Sequence, residues 1–363
     1  MRSLFRLFMS FTIFLSIAFA QEIIEENPLF VAVKDSLYGY MDGNGKMVIE
    51  AKYAMAMQFK EGLAMVKTND KYGFINKTDV FVVEPKFDWA YNFSEGIARF
   101  QINGKWGFVD STGKIVIEPQ YDWAADFSDG MAVVRVGDRS GYINKKGKMI
   151  IEPKYIFVKG FSEGLASVEF DTTYGYFDKT GKVVIEPIYD YAGDFSEGLA
   201  QIELENKYGF IDKKGKIVIE AQYDAVGDFS EGLAMFRKDN LCGYIDKKGK
   251  VVIDPLFASG SEFTEGMALI NFWSTKGSAG YINRRGKTIC ITILDYGSCG
   301  KFSEGFAKVC FGGMYGYIDT TGNYLVGPQF NWGADFSNGL ARVRSGDTIY
   351  YVDKTGKSIG KFE

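Results

Sequence analysis

The sequence contains no histidine. The chain therefore lacks the commonest general base, the usual zinc ligand and every Ser-His-Asp or Cys-His nucleophile arrangement. This absence argues against most familiar hydrolases. A glycoside hydrolase that works with two carboxylates needs no histidine, so an enzyme of that class remains the alternative to a non-catalytic protein.

Cysteine is scarce, with four residues that all lie after position 240. Cys290 and Cys299 flank one irregular connector, and an oxidising compartment would permit a disulfide there. We expect this pair to be the bridge if one forms. Cys242 is expected to be a buried thiol.

Long apolar runs are also rare. Residues 1–20 combine two arginines, an apolar run and small residues before Gln21, which is typical of a secretory signal peptide. No later stretch approaches the roughly 20 apolar residues of a membrane-spanning helix. We therefore expect an exported chain that is periplasmic, cell-surface or secreted, with residues 21–27 as a lead-in and no membrane span in the mature part.

No long basic run is present, and without the two leader arginines the chain carries 40 cationic and 46 anionic residues. A mildly acidic surface of this kind is a poor nucleic-acid binder. We expect no nucleic-acid partner.

What the sequence does contain is a repeat. The glycine of an F-x-E-G element recurs in steps of 34 residues, except for one step of 39. It lies at Gly62, Gly96, Gly130, Gly164, Gly198, Gly232, Gly266, Gly305 and Gly339. About ten such units fill residues 28–363, and no Pro/Gly/Ser-rich linker divides them. A fixed period of this length is typical of an array whose units bury their apolar faces against each other.

Each unit has the pattern of a β structure. In one copy we predict strands at 199–204, 207–212 and 216–221, which are rich in β-branched and aromatic residues. The D-x-x-G element between the second and third strands has the composition of a hairpin turn. The phenylalanine of F-x-E-G is predicted to pack between neighbouring units, where each ring contributes about 1.5 to 3 kcal/mol.

Three-stranded units of this length are short for the four-stranded blades of a closed propeller, which usually number four to eight. We therefore expect an all-β array that forms an open, propeller-like superhelix. A closed β-propeller is the alternative.

The segment Lys105-Trp106-Gly107-Phe108-Val109-Asp110 and its tyrosine versions are followed by G-K-x-V-I-E-P and F-S-E-G-L-A at matching spacing. In these motifs the chain resembles the WG (KWG) repeat family over residues 28–360. The resemblance implies an all-β repeat protein, found largely in bacteria, with no assigned catalytic residues and a binding role. Ser140, Cys242 and Ala279 replace the signature aromatic.

Acidic residues recur once per unit, in the D-x-x-G turn and in F-x-E-G. Such ladders could bind calcium, but each aspartate is sufficiently explained as a turn residue. We expect no metal, no cofactor and no catalytic residue.

Two features break the repeat and are the candidate binding sites. The residue after Y-D in the connector is aromatic in several units, at Trp89, Trp123, Phe157, Tyr191 and Trp332. If exposed, this aromatic stripe would suit sugar rings or extended peptides; burial between units is the interpretation we favour, because aromatics are usually buried. The eighth unit has a longer hairpin that carries Phe272 and Trp273, and insertions in repeat arrays often lie on the binding face. The sequence thus predicts a monomeric binding or scaffold protein for a cell-wall glycan or a protein.

Overall fold

The computed structural model describes residues 27–272, 279–292 and 298–360, and within these ranges all regular structure is β. The strands form ten antiparallel sheets, and consecutive strands along the chain are neighbours in each sheet. No helix in the described residues is long and apolar enough to cross a membrane.

The ten sheets follow one another in chain order. Sheet 1 contains β1 (Phe30–Lys34), β2 (Leu37–Met41) and β3 (Met47–Tyr53); sheet 2 contains β4 (Met55–Ala56), β5 (Leu63–Thr68), β6 (Lys71–Asn76) and β7 (Phe81–Phe87). Sheet 3 contains β8 (Trp89–Ala90), β9 (Ile97–Ile102), β10 (Lys105–Asp110) and β11 (Ile115–Tyr121); sheet 4 contains β12 (Trp123–Ala124), β13 (Met131–Val136), β14 (Arg139–Asn144) and β15 (Met149–Tyr155). Sheet 5 contains β16 (Leu165–Phe170), β17 (Thr173–Asp178) and β18 (Val183–Tyr189); sheet 6 contains β19 (Tyr191–Ser196), β20 (Leu199–Leu204), β21 (Lys207–Asp212) and β22 (Ile217–Tyr223). Sheet 7 contains β23 (Ala225–Val226), β24 (Leu233–Lys238), β25 (Leu241–Asp246) and β26 (Val251–Phe257); sheet 8 contains β27 (Ser259–Gly260), β28 (Met267–Asn271), β29 (Ala279–Asn283) and β30 (Thr288–Thr292). Sheet 9 contains β31 (Phe302–Ser303), β32 (Phe306–Phe311), β33 (Met314–Asp319) and β34 (Tyr324–Phe330); sheet 10 contains β35 (Trp332–Gly333), β36 (Leu340–Ser345), β37 (Thr348–Asp353) and β38 (Ser358–Ile359).

The three strands predicted for each unit are confirmed. In sheet 6 the first two match residue for residue, and the third, β22, runs to Tyr223 rather than ending at position 221. The prediction missed a fourth, two-residue strand that the connector contributes to most sheets. This short strand lies at the edge of its sheet and pairs with the first long strand, as Trp89 pairs with Gln101.

The D-x-x-G turns have the predicted chemistry. In the copy after β10, Oδ1 of Asp110 accepts the backbone N–H groups of Thr112 and Lys114 at 2.9 and 3.1 Å. The N–H of Gly113 donates to the carbonyl of Asp110, and Gly113 has a φ of 87°. The carboxylate thus organises the turn, and glycine accommodates its left-handed residue.

The core is divided among the interfaces between sheets. Each connector phenylalanine packs on an aromatic ring of the preceding sheet, with centroids 4.9 Å apart for Phe74 and Phe93 and 5.0 Å apart for Tyr176 and Phe195. Both connector rings are at most 2% exposed. The predicted role of these phenylalanines between units is confirmed.

The array closes on itself. Phe30 of sheet 1 and Tyr351 of sheet 10 share a core cluster of the kind found between the other sheets, and their rings are 5.5 Å apart. The hydroxyl of Tyr351 donates to the carbonyl of Val31 at 3.0 Å. The molecule is therefore a ten-bladed β-propeller, whose blades are numbered as the sheets. The closed alternative is correct and the expected open superhelix is wrong, because the connector's short strand lets a 34-residue unit form a blade.

Candidate binding surface

The aromatic stripe consists of Trp89, Trp123, Phe157, Tyr191 and Trp332, at one equivalent position in five blades. Trp89, Trp123, Tyr191 and Trp332 each begin the edge strand of their blade. Because side chains alternate along a strand, the next residue faces the core, and Ala90 and Ala124 are at most 1% exposed. The stripe side chains consequently lie on the opposite face of the edge strand from these buried residues.

The exposed fractions are 41% for Trp89, 37% for Trp123, 45% for Phe157 and 43% for Trp332, and Tyr191 is half-buried. The favoured interpretation of these rings as inter-unit core is therefore wrong for four of the five. Their role in binding stays a prediction.

Other rings extend the stripe between blades 2 and 3. The ring of Trp89 lies 5.0 Å from that of Tyr72 and 6.4 Å from that of Tyr91, and Tyr91 lies 5.8 Å from Trp106. The guanidinium of Arg99 stacks 3.7 Å from the centroid of Tyr91. These rings form one continuous aromatic cluster, in which Trp89 and Tyr91 are exposed and Tyr72 and Trp106 are buried. Tyr91 is 39% exposed, and its place two residues after Trp89 on the same face was the sequence signal for it.

A second run joins blades 5 and 6. Tyr174 lies between Phe157, at 6.5 Å, and Tyr191, at 5.8 Å, and Tyr191 lies 6.3 Å from Tyr208. The amine of Lys159 donates to the hydroxyl of Tyr191 at 2.8 Å. Burial and a hydrogen bond with Glu203 raise the pKa of Tyr208 to about 12, so this ring is neutral at physiological pH.

Two cavities border stripe tryptophans. One of about 270 Å³ lies beside Trp89 and is also lined by Met55, Met65 and Asn92. The other, of about 310 Å³, lies where blade 10 meets blade 1 and is lined by Trp332 and Arg342. Oδ1 of Asn92 and Nε of Arg342 are buried and have no hydrogen-bond partner among the described residues. Each cavity thus has an exposed indole on its wall and, in another lining residue, a buried polar atom without a partner.

The acidic ladders have structural partners. A carboxylate in F-x-E-G accepts the glycine N–H of the next blade, as Glu197 does from Gly232 at 3.0 Å, and pairs with a lysine such as Lys247 at 2.9 Å. Within the described ranges, no group of three or more Asp, Glu or Cys side chains is placed to hold a metal ion.

The model of the family described as WG containing repeat matches nine consecutive segments between residues 38 and 348. The chain belongs to the WG containing repeat family. No curated protein matches it.

One solved structure supports the fold of this WG repeat protein. A structure titled "Crystal structure of the eukaryotic initiation factor" is similar over 83% of this chain and 95% of its own, with 10% identity and a TM-score of 0.54. Kluyveromyces lactis Hsv2p, with 10% identity over 62% of this chain and 90% of its own, has a TM-score of 0.39. PorZ of Porphyromonas gingivalis, with 10% identity over 86% of this chain and 52% of its own, has a TM-score of 0.31. Of these three, only the first scores high enough to support the fold, and at this identity it shows the fold alone.

The signature glycine of the WG repeat has a structural reason. Opposite Gly107 the register shifts, so that Trp106 pairs with Tyr121 but Phe108 pairs with Ile117. A Cβ on Gly107 would lie 2.6 Å from the carbonyl oxygen of Ile117 and 2.8 Å from the nitrogen of Pro119. The bulged edge strand passes so close to position 107 that only glycine fits there. Pro119 lies within β11, at the edge of the sheet, where its missing N–H leaves no bond of the ladder unmade.

The three WG units without the signature aromatic are nevertheless packed, since Ser140 is 7% exposed and Cys242 and Ala279 are fully buried. This confirms Cys242 as a buried residue; its Sγ lies 3.7 Å from the carbonyl oxygen of Ala258.

In the eighth WG unit, Phe272 is half-buried and packs edge-on to Phe257 with centroids 5.9 Å apart. Trp273 lies outside the described residues, as does the side chain of Cys290, so the predicted Cys290–Cys299 bridge also falls outside them.

Proposed function

We propose that this WG repeat protein is an exported, non-catalytic binding protein whose aromatic stripe binds cell-wall glycan. A repeat propeller is consistent with a non-catalytic binding protein, and the exposure of four large rings at one blade position carries the proposal. A contiguous patch of exposed apolar surface is a mark of an interaction site. Rings repeated from blade to blade offer successive stacking platforms for an extended chain of sugars.

The polar atoms beside the stripe favour a glycan. A sugar ring that stacks on Trp89 or Trp332 presents hydroxyl groups at its edge, and these groups both donate and accept hydrogen bonds. Asn92 and Arg342 line the two adjacent cavities, and each has a buried polar atom without a protein partner among the described residues, an acceptor and a donor that a side-chain rotation would present to the sugar. Binding would supply those partners.

An extended peptide is the second candidate ligand. Each stripe residue except Phe157 lies on an edge strand, and the outer backbone groups of an edge strand can pair with an added chain. Export, as part of either proposal, rests on the leader-like residues 1–20.

The test is tryptophan fluorescence of the mature protein. Acrylamide should quench the exposed tryptophans, and soluble cell-wall glycan fragments should protect them. Replacing Trp89 and Trp123 by Ala should weaken glycan binding by about tenfold or more, since each stacked ring contributes about 0.5 to 1.5 kcal/mol.

The control variant is Leu256→Ala, which removes another exposed apolar side chain, 66% exposed, from a different blade position. It should bind like the unaltered protein. Equal binding by the Trp89/Trp123 double variant, or no protection by any glycan, would exclude the stripe as a glycan site, and protection by extended peptides alone would favour the second candidate.

A further inference from the structure

Half of the eight described connectors of this kind carry an aspartate that fills a fixed niche. Oδ1 of Asp122 accepts the amine of Lys105 at 2.6 Å, and its Oδ2 accepts the backbone N–H of Gly137 at 2.7 Å. The lysine begins the second long strand, β10, of the preceding blade, and the N–H belongs to a hairpin of the following blade. Each niche therefore holds one carboxylate between two blades.

The niche stabilises an ionised carboxylate. The hydrogen bond from Lys105, followed by that from Gly137, holds the pKa of Asp122 below its ordinary value. Asp224 has the same surroundings, with Lys207 at 2.5 Å and the N–H of Asp239 at 3.0 Å, and its pKa is lowered for the same first reason.

The two side-chain positions of a niche lie 17 residues apart in the sequence. Lysine stands opposite aspartate in three pairs, and leucine stands opposite alanine in two. The eight pairs within the described residues are Leu37–Ala54, Lys71–Asp88, Lys105–Asp122, Arg139–Ile156, Thr173–Asp190, Lys207–Asp224, Leu241–Ala258 and Met314–Asn331. Among these eight, only Arg139 is a cation opposite a side chain that cannot accept a hydrogen bond.

A cavity of about 280 Å³ occupies this niche between blades 4 and 5, lined by Arg139, Lys154, Tyr155, Ile156, Glu169, Phe170 and Asp171. Ile156 is 70% exposed at the place of the missing aspartate. Among the described residues, the guanidinium of Arg139 has two long polar contacts, 3.4 Å to the carbonyl of Lys154 and 3.6 Å to Asp138, whose side chain is 87% exposed.

The hairpin that contributes a backbone N–H group to the other niches has the same geometry beside this cavity. Asp171 has a φ of 54°, close to the 50° of Asn103, whose N–H donates to Asp88 at 2.7 Å in blade 3. The N–H of Asp171 therefore belongs to a turn of the same geometry, and Ile156 offers it no oxygen.

We propose that this cavity binds the free C-terminal carboxylate of a peptide that ends in an apolar residue. The ligand carboxylate takes the place of the missing aspartate, between the guanidinium of Arg139 and the N–H of Asp171. Arginine suits this role, because its fork of donors matches the two oxygens of a carboxylate. The apolar end group lies against Tyr155, Ile156 and Phe170.

The charges around the niche disfavour a doubly charged ligand. Glu169, Asp171 and Asp138 lie near Arg139 and Lys154, so a doubly charged phosphate would be repelled more than a carboxylate. One of these three carboxylates, that of Glu169, accepts a hydrogen bond from the hydroxyl of Tyr174. The site is separate from the stripe tryptophans and does not depend on the proposed glycan function.

The experiment is calorimetric titration with a short peptide that ends in phenylalanine as the free acid, with the same peptide amidated at its C-terminus, and with glucuronate. The free acid should bind, and the amide should bind at least about tenfold more weakly, because it loses the charge-assisted hydrogen bonds. Equal binding of acid and amide would overturn the proposal, as would binding of glucuronate without the peptide.

Two exposed positions provide the variants. Arg139→Gln should weaken binding of the free acid by about tenfold. Ile156→Asp restores the internal carboxylate and should abolish binding while the circular dichroism spectrum is unchanged. Lys105→Gln, in a niche already filled by Asp122, should leave peptide binding as it was. Full binding by Ile156→Asp, or an equal loss in Lys105→Gln, would contradict the proposal.

Discussion

At the scale of the residue, Gly107 connects the sequence signature with the bulge of the blade. Gly107→Ala should destabilise the protein by about 3 kcal/mol, because the added methyl group would meet the backbone of the edge strand and force it aside. Chemical denaturation measures the change. Gly327→Ala is the matched control, since its Cβ would meet nothing within 4 Å; a similar loss in both variants would contradict the steric explanation.

The repeat supports this explanation with its own exception. The tenth unit has Tyr350 where the others have the signature glycine, and the described pairs of β38, at Ser358 and Ile359, show no register shift. The unit that lacks the glycine is therefore also the one whose described third strand pairs without a shift. The glycine was visible in the sequence, but its cause was not, because the bulge is formed by a strand ten residues later.

The D-x-x-G turns predict a dependence on pH. In the turn after β17, the hydroxyl of Thr180 donates to Oδ1 of Asp178 at 2.6 Å, and this bond is the largest cause of the lowered pKa of Asp178. Thr180→Ala should raise that pKa toward its ordinary value, which a carboxyl-carbon NMR titration would detect.

The lowered pKa of Asp178 determines the direction in which the stability of the folded protein changes with pH. A carboxyl whose pKa is lower in the folded state stabilises the protein above its unfolded pKa, about 3.9, and the contribution is lost as pH falls through the folded pKa. Asp178→Asn should remove this part of the acid sensitivity while keeping the turn, since Asn144 caps the same turn in blade 4 with bonds of 3.0 and 3.1 Å. An unchanged pKa in Thr180→Ala would refute the assignment.

At the scale of the element, the connector joins two blades through one ring. Phe195 is 2% exposed and packs on Tyr176 of the preceding blade. Phe195→Ala should lower the free energy of unfolding by about 3 to 5 kcal/mol, because it leaves a cavity at the interface. Urea denaturation measures this loss.

The matched control is Phe311→Ala, since Phe311 is 50% exposed at a blade surface and its removal should change stability by less than about 0.5 kcal/mol. Equal effects of the two substitutions would show that the connector rings do not hold the blades together.

Part of the connector's structure could be predicted from the sequence pattern, and part could not. Its phenylalanine and the long strands follow from periodic apolar residues, which are visible along the chain. The two-residue edge strand is too short to have a pattern, so nothing indicated that Trp89 turns outward while Ala90 turns inward. The position of the stripe could thus be predicted, but not its exposure.

At the scale of the whole molecule, closure depends on a contact between two residues at opposite ends of the array, Val31 and Tyr351, which are 320 positions apart. A period of 34 residues specifies that neighbouring units pack, and the rotation per unit decides whether the tenth meets the first. That rotation comes from twist and bulges, which the sequence pattern does not display. The cavity beside Ile156 was likewise missed, because it appears only when residues 17 apart are compared across blades.

Closure leads to the last prediction, which concerns Tyr351. Tyr351 occupies the position that Tyr176 has inside the array, and both hydroxyls donate to a carbonyl of the adjoining blade, Val31 at 3.0 Å and Gly193 at 2.7 Å. Tyr351→Ala should cost about 3 to 5 kcal/mol and open the ring at this interface alone, because the interfaces within the chain keep their covalent connection. Hydrogen exchange should then accelerate in blades 1 and 10 and remain unchanged in blades 5 and 6.

Tyr176→Ala is the matched control, since it removes the same ring at an interface that the chain itself bridges, and its faster exchange should be confined to blades 5 and 6. In a closed ring the two variants affect different blades to a similar degree, and small-angle scattering should show expansion for Tyr351→Ala. The ring would be open in solution if two results were found together: fastest hydrogen exchange in blades 1 and 10 of the unaltered protein, and no change of exchange or dimensions in Tyr351→Ala. In a closed ring, blades 1 and 10 each pack against two neighbours instead of one. We therefore expect these two blades of the unaltered protein to exchange no faster than the others.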